Sequence, residues 1–201
     1  GLYKDSPSQR ADMLLDELLW PNHPLGRDVA GNKESVTAIS RDMMLDYVAK
    51  QYLPDNTVVV ITGDIQHHET ITAVSQTTGD WTGSPSRSQY SPYKEQPVPR
   101  PHIETRDTEQ THLCLGLPGL SLFHPKRFTL GLLNVILGEG MSSRLFTEIR
   151  DQLGLAYSVH SYVEHLLDSG SITIFAGVEP KNLRAAIKAI LEQLSQMRES
   201  V

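Results

Sequence analysis

Residues 137–159, reading LGEGMSSRLFTEIRDQLGLAYSV, constrain the fold more than any other stretch of the chain. An apolar run ends at a turn carrying Gly138 and Gly140, an amphipathic helix follows, and Gly154 stops that helix just before an alternating segment. Helix, tight release, second helix and strand in such quick succession call for a sheet flanked by helices. Ser142 or Ser143 is placed to cap the second helix. Arg150 and Tyr157 stand seven residues apart across the break after Leu153, where both can project from one sheet edge toward one cleft. An arginine fork and a phenol can together hold an extended backbone or a developing oxyanion. The same pair also fits a structural role, a cation ending a helix and an aromatic opening a strand.

The rest of the chain is read against that stretch. Ser6 and Pro7 start a helix whose Met13, Leu14, Leu15, Leu18 and Leu19 recur at helical spacing, and Pro21 and Pro24 stop it. Residues 23–36 read as a glycine-punctuated loop in which His23 is a capping or surface residue. Ser40 caps a helix with Met44, Tyr47 and Val48 on one face, and the β-branched run TVVVITGD that follows is expected as a strand covered on both sides, at the centre of a sheet. One more short helix follows, with His67 and His68 solvated. Residues 82–101, with five prolines and no apolar periodicity, read as an extended connector and domain boundary. THLCLGLPG then alternates as a strand, with Cys114 expected as a small core residue. FTLGLLNVIL is apolar nearly all round and is expected to lie buried between layers. Strands over 155–166 and 171–178, joined by Asp168-Ser169-Gly170, form a hairpin, and Leu183, Ile187, Ile190, Leu194 and Met197 make the stripe of a last helix lying across it.

Several function classes fall away. The formal charge of −6 and the lack of a basic stripe argue against a nucleic-acid partner. No apolar run approaches the ~18 residues needed to span a bilayer, so the chain is expected to be soluble. One cysteine cannot form an intrachain disulfide and leaves the redox compartment open. The chain starts without Met and ends inside a helical pattern, which reads as a piece of a longer polypeptide. GEG at 138–140 follows a helix and lacks the third glycine of a dinucleotide loop. HSYVEH at 160–165 resembles a zinc motif, but its histidines are five apart in a strand, where odd separation sends them to opposite faces. From the residues alone, the chain is an α/β protein with no complete catalytic site.

The strings LLWPNHPLGRDVAGNKESV and TEQTHLCLGLPG, followed by LNVILGEGMSSRLFTEIRDQLGLAYSV, resemble the M16 family of zinc peptidases, which includes the processing peptidases, pitrilysin and insulin-degrading enzymes. The resemblance covers essentially the whole chain. It implies an α+β fold of two tandem related domains, each an antiparallel sheet flanked by helices, facing each other across a peptide chamber. Residues 1–81 would be the second half of the first domain, 82–101 the linker, and 102–201 the first part of the second, non-metal domain. The family's HxxEH zinc helix is absent from the 201 residues, so zinc is expected in the parent protein and no metal or other cofactor site in this chain. The chain on its own is expected to be inactive. The family's second-domain substrate contacts correspond to Arg150, which would hold a substrate carbonyl, and Tyr157, which would share the oxyanion with zinc while the motif's Glu takes the proton of a metal-bound water. Expected partners are peptide substrates, the remainder of the same polypeptide, and a second M16 chain in a homo- or heterodimer. The alternative is a non-catalytic M16 subunit that holds peptide or scaffolds a zinc-bearing partner. The resemblance favours the bacterial cytoplasm or the mitochondrial matrix.

Overall fold

The computed structural model describes residues 6–83, 92–94 and 100–199. They fall into two compact units, Gly1–Asp28 with Pro92–Val201, and Val29–Ser91. Most of the proline-rich connector, 84–91 and 95–99, lies outside the described residues.

The first unit is built on a three-stranded antiparallel sheet ordered β1-β3-β2, from β1 (Thr111–Pro118), β2 (Ala156–His165) and β3 (Gly170–Val178). The β2–β3 hairpin turns through Asp168-Ser169, as the sequence predicts, and puts β3 in the centre. Alternation then sorts the side chains. Leu113 and Leu115 oppose Ala176 and Ile174 on one face, joined by Val159 and Ser161 across β3. Against this face pack α5 (Arg127–Gly138), a π-helix (Phe146–Gln152) and α6 (Leu183–Glu199), enclosing a core that includes Leu137, Leu145, Ile149, Ile174 and Ile190. Of the α6 stripe read from the sequence, Ile190 is buried and Leu183, Leu194 and Met197 pack against the core, but the buried face is turned toward Ala186, Ala189 and Gln193, which the stripe did not include, and Ile187 is only half-buried.

The opposite face carries His112, Cys114, Phe175, His160 and Tyr162, and α1 (Pro7–Leu19) lies over part of it. Gly116 makes room for the helix, since a Cβ there would stand 2.8 Å from Leu15 Cδ1 and 3.0 Å from Leu19 Cδ1. Asp12 of α1 accepts hydrogen bonds from the Cys114 thiol and the Tyr162 hydroxyl, both at 3.2 Å. Burial, and next the Asp12 charge, push both the thiol and the phenol up from their ordinary pKa. Cys114 is therefore not the plain core residue expected; it faces away from the core and is half-buried, tied to a carboxylate. At the end of α1 the buried Trp20 donates to Ser169 Oγ at 3.2 Å, and Tyr93 donates its hydroxyl to the Leu19 carbonyl at 2.6 Å and its N–H to Asp168 at 2.7 Å. His23 caps the short turn Pro24–Gly26, accepting from the Leu25 N–H at 3.3 Å.

Two expectations about apolar segments are corrected. Helix α5 is not buried all round: Asn134, Leu137 and Gly138 are buried, whereas Phe128, Leu132, Val135 and Ile136 are exposed. Its outer face meets no second layer among the described residues. Its inner face carries a polar contact, with Ser161 donating to Asn134 Oδ1 at 2.7 Å. Residues 57–64, expected as a central strand, form no strand, and Val58 and Val60 are 86% and 77% exposed. A ladder needs a neighbour, and no described segment pairs with this run.

The Val29–Ser91 unit is helical: α2 (Lys33–Ala38), α3 (Arg41–Gln51) and α4 (His67–Thr78). The segment expected as loop through Val36 contains the first turn of α2, started by a reciprocal box in which Asn32 Oδ1 accepts from the Ser35 N–H at 2.7 Å and Ser35 Oγ from the Asn32 N–H at 2.9 Å. Ser40 caps α3 as expected, accepting from the Met43 N–H at 3.2 Å.

Candidate functional site

Arg150 and Tyr157 sit on either side of one irregular junction. The helix expected over 144–153 runs mostly as a π-helix, Phe146–Gln152, with the Leu153 N–H donating five residues back to the Glu148 carbonyl at 3.0 Å. Such segments are rare and cluster at functional sites. Neither serine caps it through a side chain: the buried Ser143 hydroxyl instead donates back to the Gly140 carbonyl at 2.7 Å. Gly154, at φ +60°, is the left-handed stop the sequence indicates. It lets the Leu155 N–H reach back to the Ile149 carbonyl at 2.9 Å. That bond ties the end of the helix to the entry of β2, with Arg150 one residue beyond its acceptor and Tyr157 two beyond its donor.

Tyr157 is held out of the ladder. Ala156 pairs with Val178 and Ser158 with Gly177, so Tyr157 is the extra residue of a β-bulge. The bulge is forced by burial. Ala156 lies three residues before Val159, an odd step that would place them on opposite faces of a regular strand, yet both are buried in the core. The extra residue absorbs the mismatch and turns the phenol outward, 59% exposed. There it lines a shallow open pocket of about 480 Å³ with Glu109, Gln110, Glu179, Pro180 and Lys181. Lys181 lies 2.6 Å from Glu179, and its hydrogen bond, then its charge, hold the Glu179 carboxyl below the usual range; the nearby Tyr157 hydroxyl adds a weaker pull in the same direction.

Arg150 is exposed and does not line that pocket. Its guanidinium carbon stands 4.8 Å from the centre of the Phe146 ring. Among the described residues it makes no ion pair, although Glu148 and Asp151 share its turn. The junction thus offers an uncommitted fork on one side and a phenol beside an ion pair on the other, two hydrogen-bond donors suited to an extended backbone.

Sequence reasoning missed Phe146, Glu179 and Lys181. Phe146 was within reach, four residues before Arg150 on the same helix. Glu179 needed the hairpin register counted back from Gly170, plus the bulge, to arrive beside Tyr157.

The residues present do not fit a zinc site: no group of three His, Cys, Asp or Glu among the described residues could hold a metal. His160 packs against Phe175, with ring centres 5.1 Å apart, while His165 Nδ1 lies 2.6 Å from the Leu120 carbonyl oxygen. No helix among the described residues is long and apolar enough to cross a membrane.

Solved structures share this architecture over nearly all of the chain. A peptidase M16 inactive domain from Pseudomonas fluorescens superposes with a TM-score of 0.85 at 24% identity, covering 97% of this chain and 47% of that one. A protease from Helicobacter pylori gives 0.82 at 20% identity, covering 98% and 49%. The family profile described as Peptidase M16 inactive domain matches residues 38–201, and the chain belongs to the M16 peptidase family. Among its relatives, the Bacillus subtilis protein named uncharacterized zinc protease YmxG is 34% identical over 199 residues, 98% of this chain and 47% of the relative. A protein named uncharacterized zinc protease from Streptomyces coelicolor is 32% identical over 205 residues, 99% of this chain and 45% of the relative. The chain spans about half the length of the curated relatives it matches.

Proposed function

We propose that this chain supplies substrate contacts, and no metal ligands, to the peptide chamber of a zinc-dependent metalloendopeptidase of the M16 family. Residues 1–81 complete a first domain, 82–101 form the linker, and 102–201 open a second domain. The observation that carries the reading is the junction at 149–157, where one backbone hydrogen bond holds an uncommitted arginine and a bulged-out tyrosine close in the chain. Arg150 donates its fork to a substrate carbonyl, and Tyr157 donates its hydroxyl to the oxygen that gains charge during hydrolysis. The bare outer face of α5 and the unpaired run at 57–64 support a chamber whose remaining layers come from more polypeptide than these residues. The zinc of the relatives' names belongs to that remainder, because no donor set for it exists among the described residues.

The test uses the full-length protein and a quenched fluorescent peptide. Tyr157→Phe lowers kcat about 100-fold with little change in KM, the pattern of a donor that acts in the transition state. An unchanged kcat removes Tyr157 from the chemistry. A full-length protein that binds the peptide through Arg150 and hydrolyses none is the peptide-holding partner of a zinc-bearing chain.

A further inference from the structure

Arg150 has an unusual support. An arginine that must bind a carbonyl has to be held still without spending its N–H donors, and an ion pair would spend them. A flat aromatic face contacts the guanidinium through its plane and leaves the edge free. The Phe146 ring offers that face, at 4.8 Å. The ring is only partly exposed: Phe146 is half-buried, on a turn whose neighbours Leu145 and Ile149 are both at 0% exposure and hold its backbone against the core. A second pair shows what an unanchored contact looks like. Arg127 lies 4.2 Å from the Phe128 ring, but Phe128 is 74% exposed at the start of α5 and has no core to fix it.

We infer that Phe146 is a positioning residue for Arg150, a half-buried aromatic platform that presents the guanidinium edge to a substrate carbonyl. The inference rests on the reading of Arg150 as a substrate contact. Phe146 acts by restricting where the fork points, and so lowers the ordering cost of binding.

The experiment takes the full-length protein, stripped of metal with a chelator so that nothing turns over, and measures the anisotropy of a fluorescein-labelled nonapeptide. The Nε–H resonance of Arg150 is followed in parallel by arginine-selective labelling. Phe146→Leu moves that resonance away from its ring-shifted position and raises the Kd about threefold, as expected for loss of a partly exposed cation–π contact. Phe146→Tyr, which keeps the ring, restores both. Phe146→Met, which keeps the bulk and loses the aromatic face, serves the same comparison should leucine loosen the core. In an Arg150→Ala background, where the Kd is already raised, Phe146→Leu has no further effect. A Phe146→Leu variant that loses the ring shift yet keeps the wild-type Kd overturns the inference and leaves Arg150 as a contact. Equal weakening in the Arg150→Ala background also overturns it, because the ring would then be merely structural. A wild-type Kd in Arg150→Ala itself overturns the reading of Arg150, and the inference with it.

Discussion

The sheet-bearing unit and the Val29–Ser91 unit use the same local vocabulary and end in different states. Both contain helices and apolar runs, though side-chain caps start α2 and α3 of the second unit, whereas α1 and α5 of the first start without one. In the first, ladder pairing brings β1, β2 and β3 together, and three helical segments close over one face, leaving Ile149, Ile174, Ala176, Val178 and Ile190 at 0% exposure. In the second, Leu53 is the only buried residue among those described, while Met44, Tyr47, Val58 and Val60 stay exposed. What the second unit does possess is local: the Asn32 box, the Ser40 cap, and the Lys50–Asp46 pair at 2.7 Å. Caps and i,i+4 pairs each contribute about 0.3–2 kcal/mol and choose where a helix begins. They do not bury apolar surface. A core requires a second layer, and only one of the two units has it.

The largest effect that tests this contrast comes from truncating matched β-branched residues. Ile174→Ala removes a fully buried side chain from the centre of the sheet and lowers stability by about 3 kcal/mol. Val60→Ala, at a residue 77% exposed, changes it by less than about 0.5 kcal/mol. Urea denaturation of the 201-residue chain reads both. Equal costs would break the contrast by showing that the 57–64 run is covered in solution. Repeating the pair in the full-length protein sharpens it: if the remaining polypeptide pairs with this run, the Val60 cost rises toward that of Ile174.

A smaller effect is expected where the packing is closest. A Cβ on Gly138 would stand 2.4 Å from Ser161 Oγ and 2.5 Å from the Ser161 N, and the latter is ladder backbone that cannot move aside. Gly138→Ala forces α5 off β2 and costs about 2 kcal/mol. Thermal unfolding measures it. A neutral result would mean that α5 is as loosely held as the helices of the second unit.

These contrasts also show how far the sequence could be read. Period and turn chemistry were sufficient wherever the partner was local: the hairpin at 168–170, the stop at Gly154 and the stripe on α6 are all visible in the string. The same apolar signal misled at 57–64 and on α5, because hydrophobicity says that a face needs cover and not whether cover is at hand. Around the helix-to-strand break, the placing of Arg150 and Tyr157 on either side of Gly154 was legible, but the π-helix and the bulge that set their surroundings were not. The π-helix has no known sequence period to betray it. The bulge follows only once Ala156 and Val159 are known to share the core face, a fact of packing rather than of pattern.

The subtlest test concerns α1, which precedes the second unit in sequence yet packs with the sheet of the first. That packing brings Asp16 near Glu164 of β2, while Asp12 lies one turn back on the same helix. Burial first, then the Glu164 and Asp12 charges, raise the Asp16 pKa from 3.8 to about 6. A carboxyl whose pKa is higher folded than unfolded binds more protons in the folded state, so its contribution to stability is fully present below pH 3.8 and lost as the pH rises through about 6. Above that range the ionised Asp16 is a liability to the docked helix. Asp16→Asn therefore stabilises the chain at pH 7.5 by about 1 kcal/mol, a value already reduced for a side chain only half removed from water. The gain shrinks steadily between pH 6 and pH 3.8. Urea midpoints of the two chains across that range read the difference directly. A gain that stays constant with pH would show Asp16 titrating as it does in the unfolded chain, and α1 would then not be seated on the sheet in solution.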